Sequence, residues 1–174
     1  LFTILKALTV IKLAHQVSTD NDIPVVPVFW IDAEDHDLTE ISSCQFLDTD
    51  MNLSTVTLPL DGQSGTTAGA IKLDTSISEV LDQLTAGLQP TEFTAEIQKA
   101  LRAAYAPGTR LVEAFARWLD ILLGKYGLVT YDASDSRTKD IAQPLFAREL
   151  EALGRTSQLA ATAGSAMQAK GYPA

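Results

Sequence analysis

The sequence is poor in the residues that would point to several large functional classes. A single cysteine, Cys44, in 174 residues permits no internal disulfide, which fits a reducing compartment. Cations are also scarce, with 13 lysines and arginines against 22 acidic residues and a formal charge of -9. No run of lysine or arginine offsets that balance locally, which argues against a nucleic-acid surface. His15 and His36 are the only histidines, so no metal site is expected from them. Lys6, Lys12 and His15 interrupt the apolar first seventeen residues, leaving them too short and too charged to span a bilayer. They also lack the basic start and small-residue cleavage site of a signal peptide. Gly62, Gly65 and Gly69 match neither a Walker A loop, which ends in Gly-Lys-Ser/Thr, nor the dinucleotide-binding spacing.

What is present is an apolar content of 46% with mixed charge, in a chain long enough for one domain with a real core. The organising stretch is Pro24 to Ile41, PVVPVFWIDAEDHDLTEI. Seven of the eight residues from Val25 to Asp32 are apolar or proline. The run is too short for a helix, is rich in β-branched and aromatic residues and does not alternate, which predicts a strand buried on both faces of an α/β sheet. Pro27 resists that assignment, because proline cannot donate to a ladder. Asp32, Glu34, Asp35, His36 and Asp37 then follow at the strand's carboxyl end, where open α/β sheets bind ligands.

Around this stretch the pattern alternates. Residues 1–17 predict a helix whose polar positions wind around it, so that it is buried over much of its surface. Ser43 to Leu47 and Ser54 to Leu58 read as a hairpin around an Asp- and Asn-rich turn. AIKL, residues 70–73, suggests a brief strand before Thr75 or Ser76 caps a helix carrying Ile77, Val80, Leu81 and Leu84. A second helix is expected from Thr91 to Tyr105. A third, capped by Thr109, carries the stripe Leu111, Phe115, Trp118 and Leu122. Gly127 to Tyr131 repeats the opening design: a short apolar strand, then Asp132, Ser134 and Asp135, then a helix that Pro144 should bend or divide. The tail from Leu153 reads as helical or loose. Residues 1–60 are thus the first part of a core, 61–124 a mainly helical connecting insertion, and 125–174 the return to the core. A chain that begins at Leu1 in a helical pattern reads as a piece of something longer, incomplete at both ends.

Three segments, LFTILKALTVIKLA, PVVPVFWIDAEDHDLTEI and AYAPGTRLVEAFARWLDILLGKYGLVTYDASD, followed by PLFAREL, resemble in order the BshC family, cysteine ligases of bacillithiol biosynthesis. The likeness runs from Leu1 to about Leu150, and VFW-x-x-x-EDHD is its distinctive element. It implies an α/β, Rossmann-like parallel-sheet core with an inserted hairpin and a helical connecting segment. It also implies a cytoplasmic enzyme that joins cysteine to glucosaminyl malate, with a homodimer formed through parts absent from this chain. Asp32 stands where that family would carry a small residue. The cofactor is left open, with ATP or another adenine nucleotide the candidate. No nucleic acid or membrane partner is implied.

On this reading Glu34, Asp35, His36 and Asp37 are the catalytic candidates. His36 among carboxylates would serve as a cation facing a phosphate, a carboxylate or developing negative charge. Asp35 or Glu34 could instead act as a base on the amine of cysteine. The plainer alternative makes Asp32 a helix cap, with Glu34 and Asp35 in the first helical turn. Asp132, Ser134 and Asp135 could hold a ribose or an amine, although an Asx turn and N-cap is the favoured role. Lys6, costly in a buried helix without a partner, and Trp30, a core residue or pocket floor, complete the substrate-binding candidates. His15 is expected at the exposed end of its helix, and Cys44 as a small buried residue. Two competing functions remain: a nucleotide-binding or nucleotidyl-transferring Rossmann-type enzyme, and a non-catalytic domain using the helices from Ser76 to Leu123 as a partner surface.

Overall fold

The computed structural model describes residues 2–60 and 65–172. Four of the nine residues of the glycine loop expected at 61–69, Asp61 to Ser64 with Gly62 included, therefore lie outside the described residues. Two compact units are present, residues 1–134 and 135–174.

In the first unit, α1 (Phe2–Asn21) runs without glycine or proline and stops where Asp22 adopts a φ of 53°. Only Ala7, Ile11 and Ala14 are buried, a stripe spaced four and three residues apart on one face. The expectation of a broadly buried helix is thus corrected, since Leu5, Leu8 and Leu13 are exposed. His15 lies exposed within the helix and not at its end.

Strand β1 (Val28–Ile31) begins one residue after Pro27, so the ring falls where no ladder N–H is required. Pro27 still contributes its carbonyl, which accepts from Val129 at 2.9 Å. β1 pairs in parallel with β4 (Val129–Asp132), Val28 opposite Val129 and Ile31 opposite Asp132. The strand is not buried on both faces as its composition suggested. Phe29 and Ile31 turn inward, while Val28 and Trp30 are exposed. An uninterrupted apolar run does not alternate in character, yet the pleat still sends successive side chains to opposite faces.

Between these strands come α2 (Leu38–Ile41), the antiparallel pair β2 (Ser43–Leu47) and β3 (Leu53–Thr57), α3 (Ser76–Gly87), α4 (Thr94–Ala104) and α5 (Leu111–Leu123). The hairpin turn is organised by Asp48, whose carboxylate accepts from the amides of Asp50 and Asn52 and from the Ser54 hydroxyl, each at 2.9 Å. The Asn52 amide and then the Ser54 hydroxyl hold that carboxyl below the usual range. Asp74, and neither Thr75 nor Ser76, receives the first free amide of α3, from Ser76 at 2.8 Å. Residues 70–73 form no full strand, but an antiparallel bridge joins Lys72 to Arg110. Leu73 N donates to Thr109 O and Leu111 N to Ile71 O, each at 2.9 Å.

Helix α5 is the pillar of this unit. Leu119 and Leu123 meet Ala7, Ile11 and Leu128 in one cluster, Val112 joins Ile31, Ala33 and Ala68 in a second, and Ala114 joins Leu58, Leu73, Ile77 and Leu81 in a third. Serving three clusters requires more than one buried face, so Val112, Ala114, Leu119 and Leu123 are buried more deeply than the expected stripe. The α5 N-cap is Arg110, and no side chain caps it, Thr109 included. Tyr105 packs against the third cluster, and desolvation pushes its phenol up to about 12. Cys44 is exposed on β2, contrary to expectation.

The second unit consists of α6 (Ser136–Glu151) and α7 (Arg155–Ala169). α6 is not divided at Pro144. Leu153 and Gly154, with φ of 49° and 80°, are both left-handed between the two helices.

Candidate active site at the strand ends

Because β1 and β4 are parallel neighbours in register, their carboxyl ends lie side by side, and the loops that leave them, residues 32–37 and 133–134, start from one rim. The first loop is a turn and not the start of a helix, since α2 begins only at Leu38. Asp32 is therefore no helix cap. Within the loop, Asp35 Oδ1 accepts from the amide of Asp37 at 3.0 Å. Asp32, Glu34, Asp35, His36 and Asp37 are all exposed.

A third segment ties the rim together. The 3-10 turn Ala68–Ala70 donates two amides to the acidic loop, Ala68 N to Asp35 O at 2.8 Å and Gly69 N to Ala33 O at 2.7 Å. Gly69 has no room for a side chain: a Cβ there would stand 2.4 Å from Ser134 Oγ and 2.9 Å from Ala33 O. On the β4 side, Asp132 Oδ1 accepts from Ser134 N at 2.9 Å and from Ser134 Oγ at 2.6 Å. Its other oxygen accepts from Arg110 Nη2 at 3.1 Å, while Arg110 Nη1 donates to Gly69 O at 3.3 Å.

The candidate residues thus fall into separate groups. His36 and Asp37 line a cavity of about 730 Å³ with Ser42, Thr57, Glu79 and Gln83. Such a volume suits a small molecule. Asp132 and Ser134 belong to the Arg110 network. Asp135, in the second unit, is the N-cap of α6, accepting from Arg137 N at 3.0 Å and pairing with that guanidinium at 2.6 Å. Lys6 is exposed along a groove on α1 with Phe2, Leu5, Thr9 and Leu13. Trp30 is 64% exposed and packs with a tilted ring against its cross-strand partner Tyr131, ring centroids 4.4 Å apart, so it is not a core residue. Among the described residues no group of three or more histidine, cysteine or acidic side chains could hold a metal ion. None of their helices is long and apolar enough to cross a membrane.

Sequence reading weighed Gly69 only as a phosphate-loop glycine and missed Arg110, Glu79 and Gln83. Arg110 left one signal, as a lone cation beside Pro107 and Gly108 in a chain with an excess of acid. The α3 residues left none, being ordinary polar positions of an amphipathic helix.

Parallel strands whose carboxyl ends open into a polar rim define a Rossmann-like α/β domain. The family model described as "Bacillithiol biosynthesis BshC, N-terminal Rossmann-like domain" matches residues 1–174, and the chain belongs to that family. It is 35% identical over 179 residues to a protein of Salinibacter ruber named "Putative cysteine ligase BshC", covering 100% of this chain and 32% of the relative. Proteins of the same name from Chlorobaculum tepidum and Koribacter versatilis are 35% and 29% identical, over 100% and 95% of this chain and 31% of each relative. The chain thus spans about a third of the length of the curated relatives it matches.

Proposed function

We propose that this chain is the amino-terminal part of a cytoplasmic ligase that joins cysteine to glucosaminyl malate in bacillithiol biosynthesis. Family membership over the whole chain supports the reaction class. The observation that carries the reading to particular residues is the rim itself, where parallel strand ends set His36 and Asp37 on the wall of a small-molecule cavity. Joining the two substrates forms a carbon–nitrogen bond between the carboxyl carbon of cysteine and the amine of the sugar and breaks a carbon–oxygen bond of that carboxyl. The oxygen leaves as water in the net reaction, or with phosphate or nucleotide where a nucleoside triphosphate first activates the carboxyl. The amine that must lose a proton is therefore that of the sugar, not that of cysteine. Asp35, Glu34 or Asp37 serves as base toward it, and His36 faces the charge that develops on the carboxyl oxygen. Cysteine and glucosaminyl malate are the partners on this reading.

The test is formation of the cysteine adduct by the full-length protein, followed by mass spectrometry, for wild type, His36→Ala and the triple variant Glu34→Ala/Asp35→Ala/Asp37→Ala. Both variants are expected to keep a wild-type circular dichroism spectrum and to lose on the order of 100-fold or more in rate, the scale of positioned acid–base groups. Wild-type rates in both would remove the assignment.

A further inference from the structure

We propose that Arg110 is a positioning residue for the reaction at this rim, acting through Asp132, Ser134 and Gly69. The inference rests on the ligase reading above for its catalytic consequence, but its geometry stands apart from that reading.

The antiparallel bridge between Lys72 and Arg110 places the Arg110 backbone beside the segment that leads out of the 3-10 turn. From there its guanidinium spans two acceptors from different parts of the chain, Gly69 O at 3.3 Å and Asp132 Oδ2 at 3.1 Å. Both carboxylate oxygens of Asp132 thus have protein donors, Oδ1 taking both the amide and the hydroxyl of Ser134. On this proposal its carboxylate transmits position. Gly69 in turn is bonded to Ala33 of the acidic loop, and its Cα lies so close to Ser134 that no Cβ fits between them. The contacts close a ring: acidic loop, 3-10 turn, Arg110, Asp132, Ser134, and back to the turn. The ring sets the loop carrying Glu34 to Asp37 against the loop leaving β4.

Magnitudes separate a positioning role from a stabilising one. The Arg110 side chain is 44% exposed, and an ion pair so open to water adds little to stability. Displacing catalytic groups by about 1 Å, in contrast, can lower a rate on the order of 100-fold. The fork geometry also matters, because two separate acceptors are held by a planar guanidinium and not by the point charge of lysine.

The experiment uses the full-length protein, with Arg110→Gln, Arg110→Lys, Asp132→Asn and the Arg110→Gln/Asp132→Asn double variant. Expected are a fall in kcat of roughly tenfold or more with KM for both substrates nearly unchanged, no rescue by lysine, and a double variant no slower than the worse single one. Melting temperatures should stay close to wild type. A KM increase for one substrate at unchanged kcat would make Arg110 a direct ligand and overturn the proposal, as would multiplicative losses or wild-type rates. If wild-type protein forms no cysteine adduct, the ligase reading fails, and amide hydrogen exchange decides this one separately. Faster exchange at Ala68, Gly69 and Ser134 in Arg110→Gln supports the ring, and unchanged exchange refutes it.

Discussion

Replacing Gly69 by alanine tests the closest approach in the structure. Gly69 has no positive φ, so alanine can adopt its backbone conformation. On conformational entropy alone the change would stabilise the protein by about 0.4–1 kcal/mol. Contact opposes this. The new methyl would lie 2.4 Å from Ser134 Oγ, 2.6 Å from Ser134 Cβ and 2.9 Å from Ala33 O, where carbon contacts settle at about 3.5–4.0 Å. Ala33 cannot retreat easily, being fully buried and hydrogen-bonded through both its amide and its carbonyl. Overpacking of this kind costs roughly 1–3 kcal/mol, which less the entropy gain leaves a net cost of about 0–2.6 kcal/mol and lowers the melting temperature by up to roughly 10 °C in a chain of this size. The assay is thermal or urea unfolding of Gly69→Ala in two backgrounds, wild type and Ser134→Gly. The second background removes two of the three close atoms, so Gly69→Ala should cost much less there. Equal costs in both backgrounds, or a stabilised Gly69→Ala, would refute the packing argument.

Two further predictions concern parts of the fold away from the rim. Tyr105 ionises near 10 when unfolded and about 12 when folded, so between those values the unfolded chain binds fewer protons and stability falls as pH rises. The part it contributes is complete below pH 10, amounts at most to roughly 2–3 kcal/mol at about 1.4 kcal/mol per unit, and is lost by about pH 12. Tyr105→Phe should flatten the alkaline limb of a urea-midpoint profile, and an unchanged limb would exclude Tyr105 as its source. Cys44, exposed on β2, should react fully with a thiol reagent under native conditions without loss of the circular dichroism signal. Protection until unfolding would contradict its placement.

Local chemistry made much of the architecture legible. Helices and strands follow period and breakers, so α3, α5, the hairpin and the two core strands fall close to where the residues predict them. The acidic hexapeptide was readable as a strand-end loop for the same reason: the apolar run stops at Ile31 and charge begins at Asp32. Burial was harder to read. A uniformly apolar strand and a helix with scattered polar residues carry no mark of which face a neighbour covers, and so Trp30, Cys44 and most of α1 proved more exposed than composition implied.

By itself the sequence determined the order and type of the longer elements, though not α2, the 3-10 turn or the lone bridge at Lys72, and set carboxylates after both core strands, since these depend on residues within a turn or two of each other. Tertiary structure alone decided that the acidic loop divides its residues, with His36 and Asp37 on a cavity wall completed by α3. It alone brought Arg110 to Gly69 and to Asp132, 41 and 22 residues away along the chain. Hydrogen bonds over such separations leave no periodicity behind, because their partners are neighbours only in the folded arrangement, where β1 pairs in parallel with β4 and Lys72 bridges to Arg110.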